Sequence, residues 1–223
     1  MQKVRYALIA GASGLVGGHC LELLLKSDRY SQVISVGRRE LPLIHPKLEQ
    51  KVIDFNKLAS YAADLAVDDV YCCLGTTIKK AGSEEAFYKV DHTYVVDLAK
   101  VTANKGASQF IVVSAMGADA GSMFFYNKVK GEMEQDIQQQ GFETVHILRP
   151  SLLLGDREEQ RTGEELASKI MKPLSNLMVG PLKKYKPIEA ETVAKAMLQV
   201  ASQQQKGVFI HSSDEIAALG AKL

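Results

Sequence analysis

Short apolar runs rich in β-branched residues alternate along this chain with longer stretches whose apolar positions recur every three or four residues. The short runs predict strands at residues 4–10, 33–36, 51–53, 70–74, 110–114, 145–148 and 208–211. Between them, residues 15–26 place Val16, Cys20, Leu23 and Leu24 on one helical face, and residues 83–100 do the same with Phe87, Val90, Tyr94, Val95 and Leu98. Residues 126–140 repeat the pattern with Val129, Met133 and Ile137, and residues 189–201 follow Pro187 as a late helix. Ser83 with Glu84 and Glu85 reads as a helix start, because carboxylates favour the positive end of the helix dipole. Strands that are apolar throughout, rather than alternating, are buried on both faces. The expectation is therefore an α/β, doubly wound parallel sheet in three layers, the Rossmann arrangement, formed as one domain over residues 1–223.

Only residues 151–187 break the rhythm, with a charged segment at 156–161 and prolines at 173, 181 and 187. Ligands of such sheets lie beyond the carboxyl ends of the strands, so an irregular insertion there is expected to cover a substrate.

The stretch GASGLVGG, residues 11–18, sits between the first strand and the first helix. Gly11, Gly14 and Gly17 are spaced as G-x-x-G-x-x-G, and Ser13 and Leu15 lie within the same turn. In this position the first glycine permits the tight turn, the second lets backbone approach a diphosphate, and the third lets helix pack on strand. A P-loop is excluded, since Gly18 is followed by His19 and Cys20 instead of Lys and Ser or Thr. Where an NAD-binding domain would place a carboxylate for the ribose hydroxyl, this chain has Arg38 and Arg39, which suit a 2′-phosphate; NADP(H) is the expected cofactor. Gly75 and Thr76 end the fourth strand where backbone must come close to adenine and ribose. Asp54, after the third strand, either accepts from the adenine amino group or caps the next helix.

Tyr126 and Lys130 are four apart on a predicted helix and share a face, while Ser114 closes the fifth strand. Together they suit carbonyl reduction. Ser114 would hydrogen-bond the substrate oxygen, Tyr126 would donate a proton to it, and Lys130 would favour the phenolate and reach the nicotinamide ribose.

Composition narrows the partners. With a net charge of +1 over 223 residues, no polybasic field is available for nucleic acid or an anionic membrane, so a small-molecule substrate is expected. No apolar run approaches the roughly 20 residues of a membrane span. Lys3 and Arg5 lead directly into the first strand, which argues against a signal peptide and for a cytoplasmic protein. Cys20, Cys72 and Cys73 lack C-x-x-C spacing and are expected as buried thiols; the five histidines are scattered, and no metal site is expected.

The segments GASGLVG, GRR, CCLGTT, VSAMGAD, YNKVKGEME and ILRPSLLLGDRE resemble, in order, the short-chain dehydrogenase/reductase superfamily in its atypical NAD(P)-binding branch, with the Tat-interacting oxidoreductase-like group nearest. That resemblance implies a Rossmann fold, bound NADPH, and Ser114, Tyr126 and Lys130 as the matching catalytic positions. It also implies Arg149 and Pro150 at the entry to the substrate region, grouped with the cofactor-binding residues. Val90-Asp91 stands where many members carry Val-Asn, which puts their proton relay in question. Protein partners known for the group add a second expectation, a cofactor-sensing regulator, and a homodimer is equally compatible with the sequence.

Overall fold

The computed structural model describes residues 4–155, 180–203 and 205–223. The strands are β1 (Arg5–Ala10), β2 (Tyr30–Gly37), β3 (Leu48–Val52), β4 (Asp69–Cys72), β5 (Gln109–Val113), β6 (Thr144–Arg149), β7 (Leu153–Leu154), β8 (Ile188–Glu189) and β9 (Gly207–Ser212). Seven of them form one sheet in the order β3-β2-β1-β4-β5-β6-β9. Every neighbouring pair is parallel. The helices are α1 (Leu15–Lys26), α2 (Ile78–Ala81), α3 (Glu84–Tyr88), α4 (Tyr94–Asn104), α5 (Phe125–Gln138), α6 (Ala190–Ser202) and α7 (Ser213–Gly220).

The unbroken apolar runs are explained by the two cores. On β1, Ala7 and Ile9 pack with α1 and α6, while Leu8 and Ala10 pack on the opposite face with residues of α4 and α5. Cys72 and Cys73 divide in the same way, one to each face, and neither is in a disulfide. Burial pushes the Cys72 thiol up to about 12. Each fully buried Leu or Ile contributes about 2 kcal/mol of transfer free energy.

Strand order reverses at β1, which lies between β2 and β4, so the crevice at the carboxyl ends of β1 and β4 is the switch point of the sheet. The opposite rim is closed by a polar knot. The Asp69 carboxylate, fully buried, accepts from the Arg5 guanidinium, from Tyr30 Oη at 2.7 Å and from Arg29 Nη2 at 3.3 Å, with Tyr71 Oη 2.7 Å from Tyr30 Oη. A buried carboxylate is tolerated there because all its oxygens are engaged.

Two expectations are corrected. The helix expected over residues 83–100 is three pieces: α3, a π-helical turn at Lys89–Thr93, and α4. Ser83 does cap α3, accepting from Ala86 N at 3.1 Å. The chain also adds α7, opened by a capping box between Ser212 and Glu215. Most of the substrate cover expected over 151–187, residues 156–179, lies outside the described residues; what is seen of it is β7, paired in parallel with β8 just beyond it, and a 3-10 turn at Gly180–Tyr185.

Candidate active site

The glycine turn is built to leave amide groups exposed. Gly11 has φ +86°, and a Cβ on it would lie 2.5 Å from the Cys73 carbonyl oxygen. Only glycine fits there without strain. A Cβ on Gly17 would lie 2.1 Å from the Gly11 oxygen, so α1 rests directly on the turn. Gly14 N donates to Gly11 O at 2.9 Å, and Gly14 caps α1 with no side chain over its first turn. The amides opening α1 are thus free of a side-chain acceptor, which is the cradle an anionic diphosphate requires. Leu15 packs close to Gly155 at the start of the region beyond β7.

Arg38 and Arg39 follow β2, are exposed, and form no ion pair among the described residues. Asp54 behaves as a cap: its Oδ1 accepts from Asn56 N at 2.9 Å and from Asn56 Nδ2 at 2.8 Å. These two bonds hold its carboxyl below the usual carboxylate range. Of the two readings left open by the sequence, capping is therefore the one the structure displays.

Lys130 lies on the buried side of α5, with its Nζ 2.7 Å from Asp91 Oδ1; the two side chains are 5% and 1% exposed. The π turn carries Asp91 into this position, a backbone device frequent at functional sites. Asp91 Oδ2 accepts from Thr76 N at 2.8 Å, so the Thr76 amide is satisfied by the protein, and Gly75 sits over the same ion pair. Burial lowers the Lys130 pKa, but the charges of Asp91 and Tyr126 outweigh it and the net shift is upward. Asp91 is thus a direct partner of Lys130. Tyr126, at the start of α5, is 39% exposed, stacks at 5.5 Å against Phe87, and its hydroxyl makes no hydrogen bond among the described residues.

Ser114 follows β5 directly, its N–H bonded to Leu148 O at 2.7 Å. Its hydroxyl donates to Glu134 Oε1 at 2.5 Å. Glu134 is held in turn by Arg149, whose Nε lies 3.0 and 3.1 Å from the two carboxylate oxygens and whose Nη2 lies 2.5 Å from Oε2. The hydrogen bond raises the Arg149 pKa further. Arg149 engages Glu134 with its side chain 31% exposed, and the Pro150 carbonyl accepts from Met116 N at 3.0 Å. One expectation changes here: the single proton of Ser114 is given to Glu134 and is not offered to a substrate oxygen.

Glu134 was missed by sequence reasoning, although Tyr126, Lys130 and Glu134 recur every four residues on one face of α5. That face meets the Ser114 loop backbone to backbone, since a Cβ on Gly131 would lie 2.1 Å from Ala120 N. Ser114 and Arg149 are brought together on Glu134, and Lys130 is paired with Asp91; Arg38, Arg39 and Asp54 follow the ends of β2 and β3.

Comparison with known proteins shows the family and the fold. A family model described as NAD(P)H-binding matches residues 11–204. The chain is 38% identical over 194 residues to Protein HTATIP2 of Rattus norvegicus, covering 85% of this chain and 78% of that protein. It is 34% identical over 219 residues to Protein FMP52, mitochondrial, of Candida albicans, covering 95% and 93%. Among solved structures it resembles MoeE5 in complex with UDP-glucuronic acid and NAD, with a TM-score of 0.70 at 17% identity, over 97% of this chain and 81% of that one. UDP-glucuronic acid 4-epimerase from Bacillus cereus in complex with NAD gives 0.65 at 14%, over 93% and 77%. At such identities the last two show shared fold alone. No helix among the described residues is long and apolar enough to cross a membrane.

Proposed function

We propose that this chain, which belongs to the NAD(P)H-binding family, is an NADPH-dependent reductase of a small carbonyl compound. What supports the reading is the glycine turn at the switch point of the sheet, which leaves the first amides of α1 without a side-chain cap, together with Tyr126 and the buried Lys130 four residues apart on α5 and Ser114 directly after β5. The glycine turn and the amides of Leu15 to Gly17 would hold the diphosphate, and the unpaired guanidinium of Arg38 or Arg39 would hold a 2′-phosphate. The reduced nicotinamide supplies a hydride to the carbonyl carbon when bound.

The protein's own residues do the rest. Tyr126 passes its hydroxyl proton to the substrate oxygen as the alcohol forms, becoming a phenolate that water reprotonates. Lys130 stabilises that phenolate, and Asp91 keeps Lys130 charged although it is buried. The three free thiols fit a reducing compartment such as the cytosol; because the Candida albicans relative is named mitochondrial, fractionation is the check.

Oxidation of NADPH across a panel of aldehydes and ketones tests the reading. Tyr126→Phe is expected to bind NADPH as the native protein does and to lose at least about 100-fold in kcat. Full activity in that variant would remove Tyr126 from the role of acid. Binding of NADPH without turnover of any carbonyl would favour a cofactor-sensing regulator acting through a protein partner.

A further inference from the structure

We propose that Glu134 fixes Ser114 as a hydrogen-bond acceptor, and that the site thereby selects carbonyl compounds bearing a hydroxyl on the neighbouring carbon; this rests on the reductase reading above. A serine hydroxyl has one proton and two lone pairs. Here the proton goes to Glu134 Oε1, because a carboxylate gripped by Arg149 through Nε and Nη2 has none to offer in return. Glu134 is not free to turn away. Its side chain is 3% exposed, and it is carried on α5 while Arg149 is carried on β6, both fixed elements. Releasing the Ser114 proton would leave the buried Glu134 Oε1 with Arg149 Nε as its one remaining donor among the described residues.

Ser114 is only 6% exposed, and what its hydroxyl has left to offer is lone pairs, which no side-chain donor fills among the described residues. A carbonyl oxygen also carries only lone pairs, so a simple ketone set against Ser114 gains nothing from it. The ketone oxygen is left to the free hydroxyl of Tyr126. A substrate with an adjacent hydroxyl solves both requirements, its carbonyl accepting from Tyr126 and its O–H donating to Ser114. A hydroxyl that has already given its proton to a charged group is a better acceptor than a free one, which strengthens that contact.

The test uses the full chain with NADPH and three ketones: acetophenone, α-hydroxyacetophenone and α-methoxyacetophenone. The shared aryl ketone scaffold leaves the α substituent as the one difference among the three probes. The hydroxy ketone is expected to exceed both others in kcat/KM by about tenfold, the value of one well-made hydrogen bond. The methoxy compound separates a donor from mere bulk. Ser114→Ala is expected to bring the ratio to about one, and Glu134→Gln, whose amide donates to Ser114 and frees its proton, to lower it also. Because Glu134→Gln also weakens the Arg149 pair and risks misfolding, Ser114→Ala carries the test alone if needed. A readout without turnover is calorimetric binding of styrene glycol against phenylethanol to the NADPH complex, with the glycol favoured in the native protein and not in Ser114→Ala. Equal turnover of all three ketones, or a preference that survives Ser114→Ala, overturns the inference and leaves the reductase reading standing. NADPH binding with no turnover of these ketones overturns the inference, and no turnover of any carbonyl in the wider panel overturns the reductase reading as well.

Discussion

Replacing Asp91 by Asn tests the electrostatics of the site, because it keeps the shape and an acceptor for Thr76 N while removing the charge opposite Lys130. At 2.7 Å the pair's attraction is about 6 kcal/mol for an effective dielectric constant near 20. Most of that offsets the desolvation of two ions, so the pair itself contributes little net stability. Breaking it is another matter, since an unpaired buried charge costs about 3–5 kcal/mol. For a chain of this size that corresponds to a fall in melting temperature of roughly 10 °C. The double variant Asp91→Asn/Lys130→Met removes both charges and is expected to lose much less than the sum of the two single variants.

The pH dependence supplies a second sign. In the native protein Lys130 sits above its ordinary value, so its contribution is full below about pH 10.5 and is lost as pH rises through the folded value. In Asp91→Asn both contributions of Asp91 are lost and burial is opposed chiefly by Tyr126, so the folded value falls; the expected outcome is a value below the unfolded one, with stability recovering as pH rises from 7 towards 10. Urea unfolding at several pH values measures both effects. Single variants that each cost under about 1 kcal/mol, or costs that simply add, would refute the reasoning.

Arg38→Ala is expected to weaken NADPH binding about tenfold or more while leaving NADH nearly unchanged, as calorimetry would show; equal losses for both would remove its role at the 2′-phosphate. Gly131→Ala should destabilise by about 1–3 kcal/mol or more and depress turnover, because its methyl group would press α5 away from the Ala120 backbone; thermal melts and kinetics check this. His146, 1% exposed and 3.1 Å from His211 Nε2, is held down to about 4 by burial and then by His211. Since the unfolded chain takes up that proton near pH 6.5, stability should fall by up to about 3 kcal/mol between pH 6.5 and 4, and less in His146→Gln; identical acid profiles would exclude His146 as the cause.

The sheet was legible because residues that must be apolar on both faces announce a buried parallel strand, and because Gly11 and Gly17 stand where strand and helix backbones meet. The boundaries were less so. β2 begins at Tyr30, three residues before its apolar run, because Tyr30 is needed at the Asp69 knot. The π turn was invisible, since one extra residue barely disturbs an apolar stripe running from Phe87 to Leu98. The helix from Ser213 was missed although Ser212 and Glu215 stand at capping-box spacing, because it is only eight residues long. Of the candidate site, Tyr126 and Lys130 were readable from a four-residue spacing, and Glu134 extended that spacing unnoticed. Ser114 and Arg149 were singled out individually, but their pairing with Glu134 was not readable: they lie 20 and 15 residues away in sequence, and only the packing of α5 on the sheet joins them.

Where α5 crosses the Ser114 loop there is no side chain at Gly131 to act as a cushion. Two stretches of main chain in hard contact leave no compressible side chain between them, so a displacement of α5 is passed directly to the loop that follows Ser114.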